Sequence, residues 1–266
     1  MIVDVYKRQI KKYAQPRKTE IVYADDIITE APEEEIPDYA VNYFFTKDGY
    51  FKKITPLSLR MGGEQKLKDG DQVIEHIESN NNADLLFFTD QCQVYKAKGT
   101  DFPDSKASVL GEYIPAKLGM DPGENAVYMA VTKEYTGFML FAFENGKVAK
   151  VEMSAYATKT NRKKLLSAYN DKSSLCGILY VSDDCELLFK SSHGRLLLTH
   201  SGAISAKTTR ATQGVSVMML KRGHRLASME RYPEGYFKNP NRYRKKIPAA
   251  GALLADEDAG GEQLHL

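Results

Sequence analysis

The chain has 266 residues, with 37 Lys+Arg against 35 Asp+Glu, 42% apolar side chains, 16 Tyr and no Trp; this is enough apolar material for a packed core and excludes a disordered or fibrous chain. No apolar run reaches the roughly 18 residues of a membrane-spanning helix, and Asp4, Lys7 and Arg8 interrupt the N-terminus where a secretory leader needs an apolar stretch, so a cytoplasmic protein with no membrane partner is expected. Cys92, Cys176 and Cys185 form no Cys-x-x-Cys pair and have no His at metal-ligand spacing, which points to three small buried side chains rather than a disulfide or zinc framework.

In chain order, Asp4 to about Thr19 reads as a short helix, with Ile10 and Tyr13 three apart and Pro16 as its stop. Glu20-Ile21-Val22-Tyr23 is a β-branched run, followed by an acidic, Pro-containing linker from Ile28 to Pro37; Glu20 to Asp38 holds eight acids and no base. A domain boundary is expected near residue 38, giving a helix and acidic linker over 1–38, a β domain over 39–250 and an acidic tail over 251–266. The charge is partitioned accordingly. Residues 147–246 hold 20 Lys+Arg against 7 Asp+Glu, a pattern that suits a polyanion-binding body with repelling ends, or a solubilising surface.

From residue 39 short β runs recur, each an apolar strand, a tight polar turn and a second strand ending in a basic or polar residue: Tyr43 to Lys53, Leu85 to Lys96, Met139 to Lys150 and Leu187 to Thr199. Asp48-Gly49, Asn145-Gly146 and His193-Gly194 supply the positive-φ position of the turn, and Gln91-Cys92 fills that place in the second copy. The matched positions 49, 92, 146 and 194 are 43, 54 and 48 residues apart, the size of a propeller blade. A second Gly turn precedes a new apolar strand at Lys68 to Val73, Asp121 to Val127 and Lys221 to Leu226, and is missing from the third unit. The Phe and Tyr of these runs alternate with polar residues, as core side chains do.

Between turns, Lys159, Arg162, Lys163 and Lys164 and then Lys207 and Arg210 occupy equivalent places in successive units, with small polar neighbours suited to phosphate rather than base contacts. On a ring of blades they would share one rim. Lys52, Lys53, Lys96, Lys150 and Arg195 lie at or near strand ends, where rim placement and edge protection are both reasonable.

Asp48-Gly-Tyr-Phe-Lys-Lys-Ile-Thr-Pro-Leu-Ser58 resembles the first-blade signature of the C-terminal domain of bacterial type IIA topoisomerase A subunits, those of DNA gyrase and topoisomerase IV, and Ile10 to Tyr13 with Arg17 to Val22 resembles the segment that links it to the cleavage core. The resemblance covers about 10–250. It implies an all-β pinwheel, a propeller-like ring of four or five blades with exchanged strands, that bends duplex DNA around a basic rim without reading its sequence. Implied partners are duplex DNA, the cleavage core of the same polypeptide and the ATPase subunit, at the nucleoid; no cofactor is implied for this domain, nor catalysis by it alone. The family's Gln-Arg-Arg-Gly-Gly-Lys-Gly box corresponds to Leu59-Arg60-Met61-Gly62-Gly63-Glu64-Gln65, which keeps Arg60 as a DNA contact but has Met61 and Glu64 in place of Arg and Lys. That departure favours behaviour closer to topoisomerase IV. A protein-interaction propeller that meets an acidic partner is the alternative.

No catalytic constellation emerges. Tyr232 after Arg231 and Tyr243 after Arg242 are flanked by Pro233 and Pro240 outside any helix-turn-helix pattern and read as surface tyrosines. The five histidines are scattered, and Gly62-Gly63 is not a phosphate loop, so ATP binding is not expected.

Overall fold

The computed structural model describes residues 2–15, 37–158 and 163–258; the expected Glu20–Tyr23 strand and the body of the acidic linker lie outside them. Contacts divide the chain into residues 1–36 and 37–266. In the first unit Ile2–Tyr13 is helical, with Asp4 in the first turn and Lys11 and Lys12 in the last, the placement the helix dipole favours.

The second unit consists of four antiparallel hairpins, each the centre of one sheet: Ala40–Thr46 with Tyr50–Ile54, Asp84–Thr89 with Val94–Lys98, Phe138–Phe143 with Lys147–Glu152, and Glu186–Ser191 with Arg195–His200. We number these blades 1 to 4. The turn residues Gly49, Cys92, Gly146 and Gly194 all have positive φ, from 57° at Cys92 to 86° at Gly49, so Cys92 does take the glycine position. Each hairpin's first strand pairs with a long strand that follows it: Val73–Asn80, Ala126–Thr132, Leu175–Val181 and Leu226–Arg231. Those long strands neighbour one another in the middle of the unit, where Tyr180 N donates to Tyr128 Oη at 2.9 Å.

The opposite edge of each hairpin takes a two-residue strand from farther along the chain. Glu112–Tyr113 returns to blade 1 only after the blade 2 hairpin, Lys164–Leu165 to blade 2 after the blade 3 hairpin, and both Ala206–Lys207, in parallel, and Val215–Ser216, antiparallel, to blade 3 after the blade 4 hairpin. Blade 4 is completed by Ala252–Leu253, so the compact unit runs past residue 250 and the acidic tail begins later than its composition suggests. Successive blades are thus interlaced, the strand exchange of a pinwheel, and their number among the described residues is four.

Blades stack face to face, and the alternation of side chains along a strand therefore alternates between two neighbouring blades instead of between core and solvent. Leu85 and Phe87 join Tyr43, Phe45 and Phe51 of blade 1, whereas Leu86 and Phe88 join Met139 and Phe141 of blade 3. Leu140 and Ala142 join Leu187 and Phe189 of blade 4. This corrects the expected apolar–polar alternation: Leu85, Leu86, Phe87 and Phe88 are all 0% exposed. Among the described residues no buried cluster joins blade 4 to blade 1. The free face of blade 4 is covered by Phe237 and Tyr243, and that of blade 1 by Ala107 with Leu59 and Val73.

Glu75, opposite Phe45 in the central strand of blade 1, has its carboxyl pushed up to about 7 by burial. A carboxyl raised in the fold binds its proton more tightly than in the unfolded chain, so it favours folding most at low pH and that contribution is lost as pH rises from about 4.5 to about 7. Glu75→Gln is expected to flatten this part of the stability–pH curve and to raise the melting temperature at pH 8 by roughly 2–6 °C; a thermal-unfolding series unchanged by the substitution would contradict it.

Candidate nucleic-acid interface

The basic residues divide into an interior set and an outer set. The fourth position after each turn residue is Lys53, Lys96, Lys150 and Leu198, all in the second hairpin strand. Lys53 is 3% exposed; its Nζ donates to Asn81 Oδ1 at 2.7 Å and pairs with Asp104 at 3.1 Å. Lys96 Nζ donates to the Tyr156 carbonyl at 3.2 Å and Thr158 Oγ1 at 3.1 Å, and lies 4.7 Å from the Tyr135 ring. Lys150, 4% exposed, pairs with Asp184, donates to the Ser201 carbonyl at 3.3 Å and lies 4.2 Å from the Phe138 ring. The pattern is the same three times. One partner comes from the turn entering the next hairpin (Asn81, Tyr135, Asp184) and another from the turn leaving it (Asp104, Tyr156 and Thr158, Ser201).

These lysines tie each blade to the next. Among the described residues no hairpin follows blade 4, and its Leu198 packs on Leu188 and Tyr243 instead. Lys52 is 2% exposed, and its Nζ donates to Gln65 Oε1 and to the Lys66 and Ala107 carbonyls. Rim placement and edge protection are both open to Lys52, Lys53, Lys96 and Lys150 from sequence; in the structure their ammonium groups are bonded to acceptors of the fold, that of Lys52 to the Gln65–Lys66 segment of its own blade and to Ala107, the others to the segments that flank the next hairpin. Burial pulls the ammonium groups of Lys52 and Lys96 below their ordinary range, while the Lys150 hydrogen bond holds Asp184 below the usual carboxylate range.

The outer set lies on the short returning strands. Lys163 is exposed and its carbonyl accepts from Lys96 N at 2.7 Å, which fixes the edge of blade 2 to its hairpin. Lys164 Nζ reaches Asp121 Oδ2 at 2.7 Å and lies 5.2 Å from the Tyr95 ring; the hydrogen bond to Asp121 raises the lysine and lowers the acid, so both stay charged. Lys207 is exposed on the edge of blade 3. Arg210 donates to the Ala155 carbonyl at 3.0 Å and Asn170 Nδ2 to the Ala211 carbonyl at 2.9 Å, so the outer segments of blades 2 and 3 adjoin. The segments that carry Lys163–Lys164 and Lys207–Arg210 therefore adjoin. Lys159 and Arg162 lie outside the described residues. Arg60 is exposed at the end of the Pro56–Met61 helix of blade 1, and Arg195 is half-buried on blade 4 with its guanidinium on the Gly251 carbonyl at 2.9 Å; neither joins that edge. The edge strand of blade 1 carries Glu112, and that of blade 4 no charge.

Sequence reasoning missed the supports of this edge. Asp121 and Tyr95 orient Lys164 from two other segments. Gly111, Gly214 and Gly251 each have positive φ and place a would-be Cβ within 2.6 Å of a hairpin carbonyl, so only glycine lets the returning chain come this close. Two smaller corrections follow. Tyr243 is not a surface residue: it is fully buried and donates to Asp258 Oδ2 at 2.7 Å. The three cysteines are free but half-buried, since each sits at a turn or on a central strand rather than in a hairpin core. Among the described residues no group of three or more His, Cys, Asp or Glu is placed to hold a metal, and no helix is long and apolar enough to cross a membrane.

Four interlaced blades define a propeller-like fold, and comparison with known proteins agrees. A family model described as the DNA gyrase C-terminal domain, beta-propeller, matches residues 186–232, the hairpin and central strand of blade 4. The gyrase A protein of Mycobacterium bovis is 28% identical over 249 residues, 89% of this chain and 29% of that protein; its Borreliella burgdorferi counterpart is 21% identical over 89% of this chain and 30% of its own length. Of solved structures, the C-terminal domain of a DNA topoisomerase IV has a TM-score of 0.70 at 23% identity, over 82% of this chain and 73% of that one. The E. coli ParC C-terminal domain has a TM-score of 0.62 at 15% identity, over 82% and 94%. The chain is thus similar in sequence to DNA gyrase A proteins and in fold to the C-terminal domains of topoisomerase IV and ParC, and it spans less than a third of the length of the curated relatives it matches.

The interior assignment of Lys150 has a direct consequence. Lys150→Ala removes the ammonium that joins Asp184 to the Ser201 carbonyl, leaving Asp184 only the Ser201 hydroxyl and the carbonyl only Ile204 N as donors, and is expected to cost about 1–3 kcal/mol in chemical denaturation, with duplex affinity of the folded variant unchanged. A variant of unaltered stability that has lost DNA binding would reverse the assignment.

Proposed function

We propose that this domain binds duplex DNA without sequence preference along the outer edge of blades 2 and 3 and bends it toward the cleavage core of its parent topoisomerase. The observation that supports the reading is that Arg210 joins the segment of Lys207 to that of Lys163 and Lys164, through the Leu166 carbonyl. Lys159 and Arg162 belong to the same stretch of sequence and complete the set.

The physics is that of phosphate neutralisation. Each cation placed on a phosphate releases condensed counterions, and the resulting affinity is insensitive to sequence. A curved edge that engages consecutive phosphates favours a bent duplex, with the bending cost offset by the added contacts. The domain supplies geometry; ATP turnover belongs in this reading to the ATPase subunit, and strand cleavage to the rest of the polypeptide that carries this domain, at the nucleoid. Met61, 80% exposed, and Glu64 occupy the places where the gyrase box has a second Arg and a Lys, so the first blade offers only Arg60 there and the parent enzyme is read as closer to topoisomerase IV.

With about six phosphates neutralised, log affinity should fall against log salt with a slope near −5, taking about −0.9 per contact. Lys163→Glu with Lys207→Glu should weaken binding by about tenfold or more and reduce the slope by about two, with the melting temperature retained. Wild-type binding that is insensitive to salt would contradict the proposal. Stronger binding to an acidic polypeptide than to duplex would favour the interaction-module alternative.

A further inference from the structure

Each hairpin turn is hydrogen bonded to the turn that precedes its central strand: Lys47 N to the Gln72 carbonyl, Asp90 N to that of Asn125, Glu144 N to that of Ser174 and Ser192 N to that of Arg225. These four turn pairs are structural equivalents, yet their charges differ. Blade 1 sets Lys47 and Lys68 against Asp48, Asp69 and Asp71, with Lys68 paired to Asp48 at 3.4 Å. Blade 2 has Asp90, Asp121 and Glu124, and blade 3 balances Lys147 and Lys172 with Glu144 and Asp171. Blade 4 has Arg195, Lys221, Arg222 and Arg225 and no acid in either turn. Among the described residues, Glu144 of blade 3 reaches this end, 3.6 Å from Arg225.

On this cationic end two imidazoles stack. The His193 and His224 ring centroids are 3.4 Å apart with the planes at 7°, one ring from each turn. Ser192 Oγ lies 3.0 Å from His193 Nδ1 and accepts from Arg225 N at 3.2 Å, which fixes the first ring to the second turn. Two protonated rings at that separation would repel each other, and Lys221 and Arg195 face the pair from either turn; from the adjoining segment, Ala249 to Gly251 contribute no charge. A stacked imidazole pair between two turns that carry four cationic side chains and no acid has a multiply charged anion as its complement.

We propose that the turn end of blade 4 is a second, pH-tuned contact for the phosphodiester backbone of duplex DNA, made by Lys221, Arg222, Arg225 and Arg195 with His193 and His224. It rests on the DNA-binding reading and is distinct from the edge of blades 2 and 3. In the free protein the His224 proton affinity is held below its ordinary range, by desolvation first and then by His193, Lys221 and Arg195. A phosphate at the site offsets those cations and favours protonated imidazole. Binding therefore takes up protons, and by linkage affinity rises as pH falls toward the histidine range.

The test is a duplex titration of the full chain by fluorescence anisotropy at fixed salt, at pH 8 and pH 6, with melting temperatures as the control for folding. Wild-type affinity is expected to rise roughly three- to tenfold at the lower pH. His193→Gln with His224→Gln should abolish that gain, with the melting temperature retained. Lys221→Ala with Arg222→Ala should weaken binding at both pH values and flatten the salt slope by about two. A wild-type chain that binds with no pH gain, or a gain that survives the double His substitution, overturns this inference and leaves the outer-edge reading standing. No wild-type binding to duplex at either pH overturns both. An equal pH gain toward polyglutamate but not toward duplex assigns the site to an acidic protein and overturns it as a DNA contact.

Discussion

A lysine ammonium inside the fold, held by one acceptor from the turn entering the next blade and one from the turn leaving it, is the interaction on which the arrangement of this domain depends. Taking such a charge out of water is costly unless its donors are filled. At Lys53, Lys96 and Lys150 they are filled by atoms of the following blade. The interaction is therefore conditional on stacking, and it penalises a blade that is separated from its successor. In blade 4, which no further hairpin follows among the described residues, the same position is Leu198 in a small apolar cluster.

This internal use of cations governs what remains for a ligand. The second hairpin strands look basic, but their charge is consumed within the fold, and the outer surface is supplied by the returning strands and by turns. The division is electrostatically sensible. Ammonium groups that satisfy carbonyls are desolvated once, on folding, whereas those at the edge stay hydrated and can exchange counterions for phosphates. Lys164 shows a middle course: its pairing with exposed Asp121 holds the side chain in place at the edge, next to the Tyr95 ring, at small cost in a high-dielectric setting.

Much of the fold was legible because the hairpin turns need a positive-φ residue, and Gly49, Gly146 and Gly194 announce it at blade spacing; Cys92 could be placed only by the repeat. The returning strands were not legible, since a two-residue strand such as Glu112–Tyr113 carries no periodicity and its partner lies some sixty residues back. The role of the strand lysines was hidden for the same reason: nothing near Lys53 in sequence reveals that Asn81 and Asp104 will close over it. The outer stretch at Lys163–Lys164 and Lys207–Arg210 was legible as charge among small polar residues. Lys221 to Arg225 was read only as a turn, because its stacking partner His193 comes from another segment.

The central claim is that the lysines are of two kinds, and lysine-specific acetylation read by mass spectrometry, with and without duplex DNA, tests it most directly. The account predicts that Lys52, Lys53 and Lys150 stay unmodified in the native chain under both conditions, while Lys163 and Lys207 react readily and are protected by duplex. Ready modification of the first three in the folded protein, or reactivity of Lys163 and Lys207 that duplex leaves unchanged, would contradict it.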